Sequence, residues 1–182
     1  MIRAFLAVLS GMLLSGCWIA SVDRPDPAAI PTGPPTAMGP EARGPVIVVG
    51  TGRSEGVGWR YSIYESADGA CNQLELVDVA STGCGELLPP VGGAFGSVGT
   101  SGATGTAVRY VEGIVSSEVA ELFVEMANGE RQLVALMSLE PAGYEGQAFV
   151  AFIPQGATPD RLVAQDVGGR SLGTYEISNL GP

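Results

Sequence analysis

"EVAELFVEMANGERQLVALMSL", residues 118–139, is the stretch on which the fold turns. Val119, Leu122, Phe123 and Met126 fall on one stripe of a helix, and the Ala, Glu, Leu and Met content favours that conformation. Leu122, Val124 and Met126 also alternate with Glu121, Phe123 and Glu125, as in a strand with one buried face. Asn128-Gly129 would be a helix C-cap in the first case and a type I′ hairpin turn in the second. "RQLVALMSL" is short of polar residues for a helix and needs a sheet partner. Residues 120–136 are therefore expected to form a β-hairpin about Asn128-Gly129.

The same period continues on either side. "VIVVGTG" is a β-branched run, and in "GWRYSIYES" Trp59, Tyr61 and Ile63 share one face while Arg60, Ser62 and Tyr64 share the other. Asp68-Gly69 is a turn signal before "CNQLELVDV"; "TAVRYVEGIV", "QAFVAFI", "RLVAQD" and "RSLGTYEI" follow. Turn residues recur about every ten residues, the spacing of an all-β sandwich or barrel. Residues 46–182 are expected to form one domain, an antiparallel β-sandwich of immunoglobulin-like or similar architecture. "GGAFGSVGTSGATGT" interrupts the pattern with glycine at 93, 96, 99, 102 and 105, and is expected to be a long mobile loop.

The chain begins Met1-Ile2-Arg3, and an apolar run from Ala4 to Leu14 ends at Leu14-Ser15-Gly16-Cys17. A run this short suits a secretory signal and falls well below a membrane span. The tetrapeptide resembles the lipobox of bacterial lipoprotein precursors. The resemblance implies a signal peptide over residues 1–16, cleavage before Cys17, and a diacylglyceryl thioether on its sulfur. Two or more acyl chains make a firm anchor where one holds only marginally. The expected location is thus the extracytoplasmic face of a cell membrane, with membrane lipid as partner through Cys17. Residues 17–45 contain Pro25, Pro27, Pro31, Pro34, Pro35 and Pro40 and are expected to be a flexible tether.

With Cys17 given to lipid, Cys71 and Cys84 remain, an even number in an oxidising compartment. A disulfide is expected, ahead of a reactive thiol or a metal ligand, since the chain has no histidine and no third free cysteine. Formal charge is −10, and all nine basic residues are arginine. Such a domain is repelled by nucleic acid, so no nucleic-acid partner is expected.

Without histidine there is no Ser-His-Asp or Cys-His pair and no histidine-ligated zinc. Without lysine the glycine-rich stretch is not a Walker A loop. Thirteen glutamates make chance carboxylate pairs easy, so they point to no catalytic residue. Asp68 and Asp166 stand beside glycines but lack EF-hand spacing, and a turn bonded to its own backbone accounts for both. No metal or other cofactor is expected. Trp59 and Tyr61, beside Ile63, are expected in the core. Tyr64, on the opposite face, is the surface candidate for binding, with Arg60 beside it to meet a carboxylate or to pair with a cross-strand glutamate.

The segments "WRYSIYESADGAC", "GCG", "VEGIVSSEVAELFVEMANGE" and "LVAQDVGGRSLG" are similar to small secreted β-domains of uncharacterised envelope proteins, found especially in high-GC Gram-positive bacteria. The resemblance implies the β-fold and the Cys71–Cys84 pair, and carries over no activity. The expected function is a non-catalytic binding or structural module toward another envelope protein or polymer. The alternative is a metal-dependent or carboxylate-based hydrolase of envelope polymers.

Overall fold

The computed structural model describes residues 29–77, 79–102 and 108–177. Cys17, the apolar run before it and residues 18–28 lie outside them. Twelve strands are described: β1 (Ile47–Ser54), β2 (Val57–Ser66), β3 (Gly69–Leu76), β4 (Ala80–Gly85), β5 (Phe95–Gly102), β6 (Arg109–Val115), β7 (Glu121–Met126), β8 (Arg131–Val134), β9 (Leu136–Ser138), β10 (Gln147–Ile153), β11 (Pro159–Gln165) and β12 (Ser171–Glu176). A 3-10 turn at Glu140–Ala142 is the one described helix.

The strands form three antiparallel sheets of four, in the orders β1-β2-β3-β4, β5-β6-β10-β9 and β12-β11-β7-β8. The fold is all-β and antiparallel, and the sheets pack as a sandwich of three layers. The middle sheet explains the arrangement. Tyr110 and Ile114 on β6, with Ala148 and Phe152 on β10, pack against Tyr61, Ile63 and Leu74 of the first sheet. The alternate residues, Val111 and Val115 on β6 with Phe149, Ala151 and Ile153 on β10, pack against Leu122, Val124, Leu162 and Ala164 of the third. A strand covered on both faces reads as a continuous apolar run, which is how "QAFVAFI" and "YVEGIV" read.

The expected hairpin forms between β7 and β8, with Leu122 paired to Val134 and Glu125 to Arg131, but it stops short of Leu136, which pairs with Phe149 of β10. Its turn differs. Gly129 N–H donates to Met126 O, Gly129 has φ 84°, and Asn128 is not at positive φ. This is a type I turn closed by a glycine bulge rather than a type I′ turn. Positive φ at two successive residues occurs instead at Glu55 and Gly56, between the paired Ser54 and Val57. The run after the hairpin serves two sheets: β8 extends the third, and beyond Ala135 β9 joins the edge of the second.

From Phe95 to Gly102 the glycine-rich stretch is a strand and not the expected loop. Residues 95–102 are β5, paired antiparallel to β6 from Phe95↔Val115 to Gly102↔Arg109. Glycine is required here because backbone meets backbone: a Cβ on Gly96 would lie 2.1 Å from Leu87 O. Residues 103–107 lie outside the described residues.

The proline-rich segment also departs from its expected role. Its described part, residues 29–45, lies along the outer face of the first sheet as a strap. Gln73 holds it twice, accepting from Met38 N–H at 2.8 Å and donating to Thr36 O at 3.1 Å. Arg43 N–H donates to Glu65 O at 2.8 Å. A Cβ on Gly58 would lie 2.0 Å from Ala29 O, so glycine there permits the close approach.

Candidate functional site

Cys71 and Cys84 face each other across β3 and β4 and form the expected disulfide, with Cα atoms 4.1 Å apart. Arg60 and Tyr64 lie on the sheet face opposite Tyr61 and Ile63, as expected, but that face is not free. The strap covers it, leaving Arg60 5% and Tyr64 2% exposed. Arg60 donates to Glu75, its cross-strand neighbour, at 3.0 Å, and to the carbonyl oxygens of Gly33 and Pro31. Its guanidinium ties strap to sheet, and the expectation of Tyr64 at the surface is corrected. Asp166 accepts from Gly168 and Arg170 N–H groups at 2.9 Å each, the self-bonded turn anticipated for it. Asp68 sits in a turn closed by Ser66, whose hydroxyl accepts from its N–H at 3.1 Å.

The position that sequence reasoning passed over is Glu112. It occupies the centre of β6, on the face that carries Tyr110 and Ile114 toward the first sheet, and is 5% exposed. Directly across from it on β5 is Gly99. The free edge of the first sheet, β4, and the free edge of the second, β5, leave a cleft between them. Its volume is about 260 Å³, and its floor and walls are Asn72, Ser81, Thr82, Gly83, Ser97, Gly99, Thr100 and Glu112.

Two glycines keep the cleft open. Neither Gly83 nor Gly99 has positive φ, so the backbone does not demand glycine at either. At Gly83 space is tight, a Cβ lying 3.0 Å from Asn72 Oδ1; at Gly99 a Cβ would make ordinary contact, 3.6 Å from Glu112 Cγ, so the missing side chain there leaves cleft volume open. At the floor the Ser81 hydroxyl donates to Glu112 Oε1. Glu112 Oε2 has no hydrogen-bond partner among the described residues, and Asn72 Oδ1 meets no donor in good geometry, although the Tyr61 phenol is its neighbour. Buried polar groups are ordinarily paired, so the open Glu112 oxygen, with Asn72 Oδ1 beside it in the cleft lining, marks a place prepared for something else.

Electrostatics agree. Burial raises the Glu112 pKa from 4.5 to about 7, with the Ser81 hydroxyl holding it partly down. Burial pushes the Tyr61 phenol up, the nearby Glu112 charge adds to that, and hydrogen bonding to the Asn72 side chain opposes it. A strongly perturbed carboxyl in a cleft is a recognised mark of a functional position. The sequence held one signal for it: a lone acid inside "YVEGIV", where both strand faces are otherwise apolar.

Two other cavities are less prepared. One of about 390 Å³ lies among Pro45, Ile47, Tyr64, Pro141 and Tyr144, and the Tyr144 hydroxyl there is engaged by Glu65. One of about 200 Å³ has Glu118 and Glu145 at its rim, both exposed. Among the described residues, no three His, Cys, Asp or Glu side chains gather to hold a metal ion. Compared with known proteins, the chain matches no family model, no curated protein and no solved structure.

Proposed function

We propose that the chain is a cell-envelope lipoprotein, anchored through Cys17, whose β-sandwich is a non-catalytic module that binds another envelope component in the cleft between β4 and β5. The observation that carries this reading is the unpaired, buried Glu112 Oε2 in that cleft, with Asn72 Oδ1 in the same lining. Two unshared strand edges beside it add backbone donors and acceptors suited to an extended chain or a polar polymer.

One observation favours the hydrolase alternative: a carboxyl titrating near neutrality has an attribute of a general acid. Carboxylate-based hydrolysis of a glycosidic bond needs a second acid across the bond. Around Glu112 the described lining offers hydroxyls, an amide and glycine backbone, a set that orients and holds. Binding is the better account.

The test is a photo-crosslinking residue at Thr100, on the exposed rim, in the full-length lipidated protein within native membranes. A discrete crosslinked envelope component is expected, and Gly99→Val should abolish it by filling the cleft. Crosslinks that persist unchanged in Gly99→Val would exclude the cleft as the binding site.

A further inference from the structure

The atoms left open at the floor of the cleft want a donor. Asn72 Oδ1 can only accept, Glu112 Oε2 can only accept while the carboxyl is ionised, and Ser81, Ser97 and Thr100 add hydroxyls around them. Tyr61 from β2 and Tyr110 from β6 are buried at the same interface between the first two sheets, and neither brings a positive charge. No arginine is among the described residues lining the cleft. A buried carboxylate needs a partner of opposite charge, and the protein around it, at −10, favours the approach of cations.

Three considerations narrow the cation. One carboxylate balances one charge, so a divalent metal would keep an uncompensated charge in a buried site and would want six or more oxygen ligands. A guanidinium binds carboxylate best as a fork on both oxygens, and Oε1 is already taken by Ser81. A primary ammonium has three donors on a compact centre, matching one carboxylate oxygen, one amide oxygen and one hydroxyl. The volume, about 260 Å³, is just below that of ordinary small-molecule pockets, and suits a short arm rather than a large cofactor. We propose that the cleft binds a primary ammonium at the end of a short aliphatic arm, seated on Glu112 Oε2 and Asn72 Oδ1. The inference rests on the cleft being the recognition site and names the chemistry that it recognises.

Binding requires Glu112 ionised, so an ammonium ligand displaces its proton where the empty site holds one. Ser81 is the group bonded to it; Tyr61 and Tyr110 from β2 and β6 are the titratable groups brought to this interface beside it, and Asn72, Thr82, Ser97 and Thr100 are the neutral polar side chains of the cleft lining.

The test titrates the full-length protein in detergent with n-butylammonium, and separately with n-butanol and with calcium, using calorimetry and amide shifts. Butylammonium alone should bind, shifting Gly83 and Gly99. Its affinity should rise about tenfold per pH unit on the acid side of neutrality and then level off. Glu112→Gln should weaken it at least tenfold and flatten that pH profile while the protein stays folded. Gly99→Ala, whose methyl would make ordinary contact with Glu112, should weaken it without disturbing the fold. Equal binding of butanol, tighter binding of calcium, no binding of butylammonium, or an unaffected Glu112→Gln would each overturn the ammonium inference. If butylammonium fails but Gly99→Val still abolishes the Thr100 crosslink, the site stands and only its chemistry falls. Should the crosslink also survive, the site falls with it.

Discussion

Glu112 sets the pH dependence that a single residue can impose on this fold. Its folded pKa, about 7, stands above the ordinary 4.5, so the folded state retains a proton that the unfolded chain releases. The stability it contributes is complete below about pH 4.5 and is lost as pH rises through 7, an upper figure of about 3 kcal/mol. Glu112→Gln, which keeps shape and hydrogen bonding without the charge, should therefore be more stable than the native chain at pH 8 and nearly equal at pH 4.5. Urea midpoints across that range check it. Glu125 runs the other way: hydrogen bonds from Arg161 and Arg131 hold its pKa low. Its contribution is present above the ordinary carboxylate range and lost in acid, a window apart from that of Glu112.

At the scale of single elements, turn geometry separates two substitutions that the dipeptide Asn128-Gly129 would make equivalent. Gly129 stands at φ 84°, which costs an L-residue roughly 1–2 kcal/mol. Asn128 is not at positive φ; its side chain accepts from Glu130 N–H at 3.0 Å. Gly129→Ala should lower stability by about that amount, while Asn128→Ala should cost no more than about 1 kcal/mol for its exposed hydrogen bond. A type I′ turn would penalise both positions, so equal losses in denaturant melts would contradict the glycine-bulge geometry. β5 supplies a second case. Gly96→Ala places a methyl against Leu87 O and the Leu88–Pro89 backbone, which has no rotamer to yield, and about 2 kcal/mol or more should be lost. A small change in melting temperature would show that the strand gives way as a mobile loop would.

Across the whole molecule, the strap is what turns the outer face of the first sheet into interior. Arg60 and Glu75 are 6% and 22% exposed in their side chains, and the same guanidinium holds the strap carbonyl oxygens. Arg60→Ala leaves Glu75 without its partner beneath the strap and releases two strap contacts. The expected cost is about 1.5–3 kcal/mol, as for losing hydrogen bonds made by a charged group. Trypsin should then cut after Arg43 sooner than in the native protein, because the backbone bond from Arg43 to Glu65 is the strap's last hold before β1. Unchanged cleavage kinetics, followed by mass spectrometry, would mean that other contacts hold the strap. The Cys71–Cys84 bridge closes a separation of 13 residues, and reducing it should cost about 3 kcal/mol in the same melts.

The strands were legible because their determinants are local. Alternation placed Trp59, Tyr61 and Ile63 on one face of β2 and Leu122, Val124 and Met126 on one face of β7, and two cysteines opposite each other in adjacent strands needed only the right register. Local sequence also decided that a hairpin forms about Asn128-Gly129, since an apolar run with no polar face must find a sheet, but not that its run would divide between two sheets after Val134. What lies against each face was decided elsewhere in the chain. Arg60 and Tyr64 point outward from their sheet in any packing, and only the strap, some 27 residues before Arg60 at Gly33, makes that side interior. Gly96 and Gly99 resemble loop residues until Leu87 and Glu112 are brought against them, because a missing Cβ looks the same whether it allows motion or close approach. Glu112 owes its character to burial beneath a second sheet, and burial is a property of the packed molecule. Sequence by itself determined the all-β class, most of the strands with their faces, and the disulfide; tertiary structure decided β5, the split of β8 from β9, the three layers, the covering strap and the cleft, because desolvation and backbone contact arise only where distant segments meet.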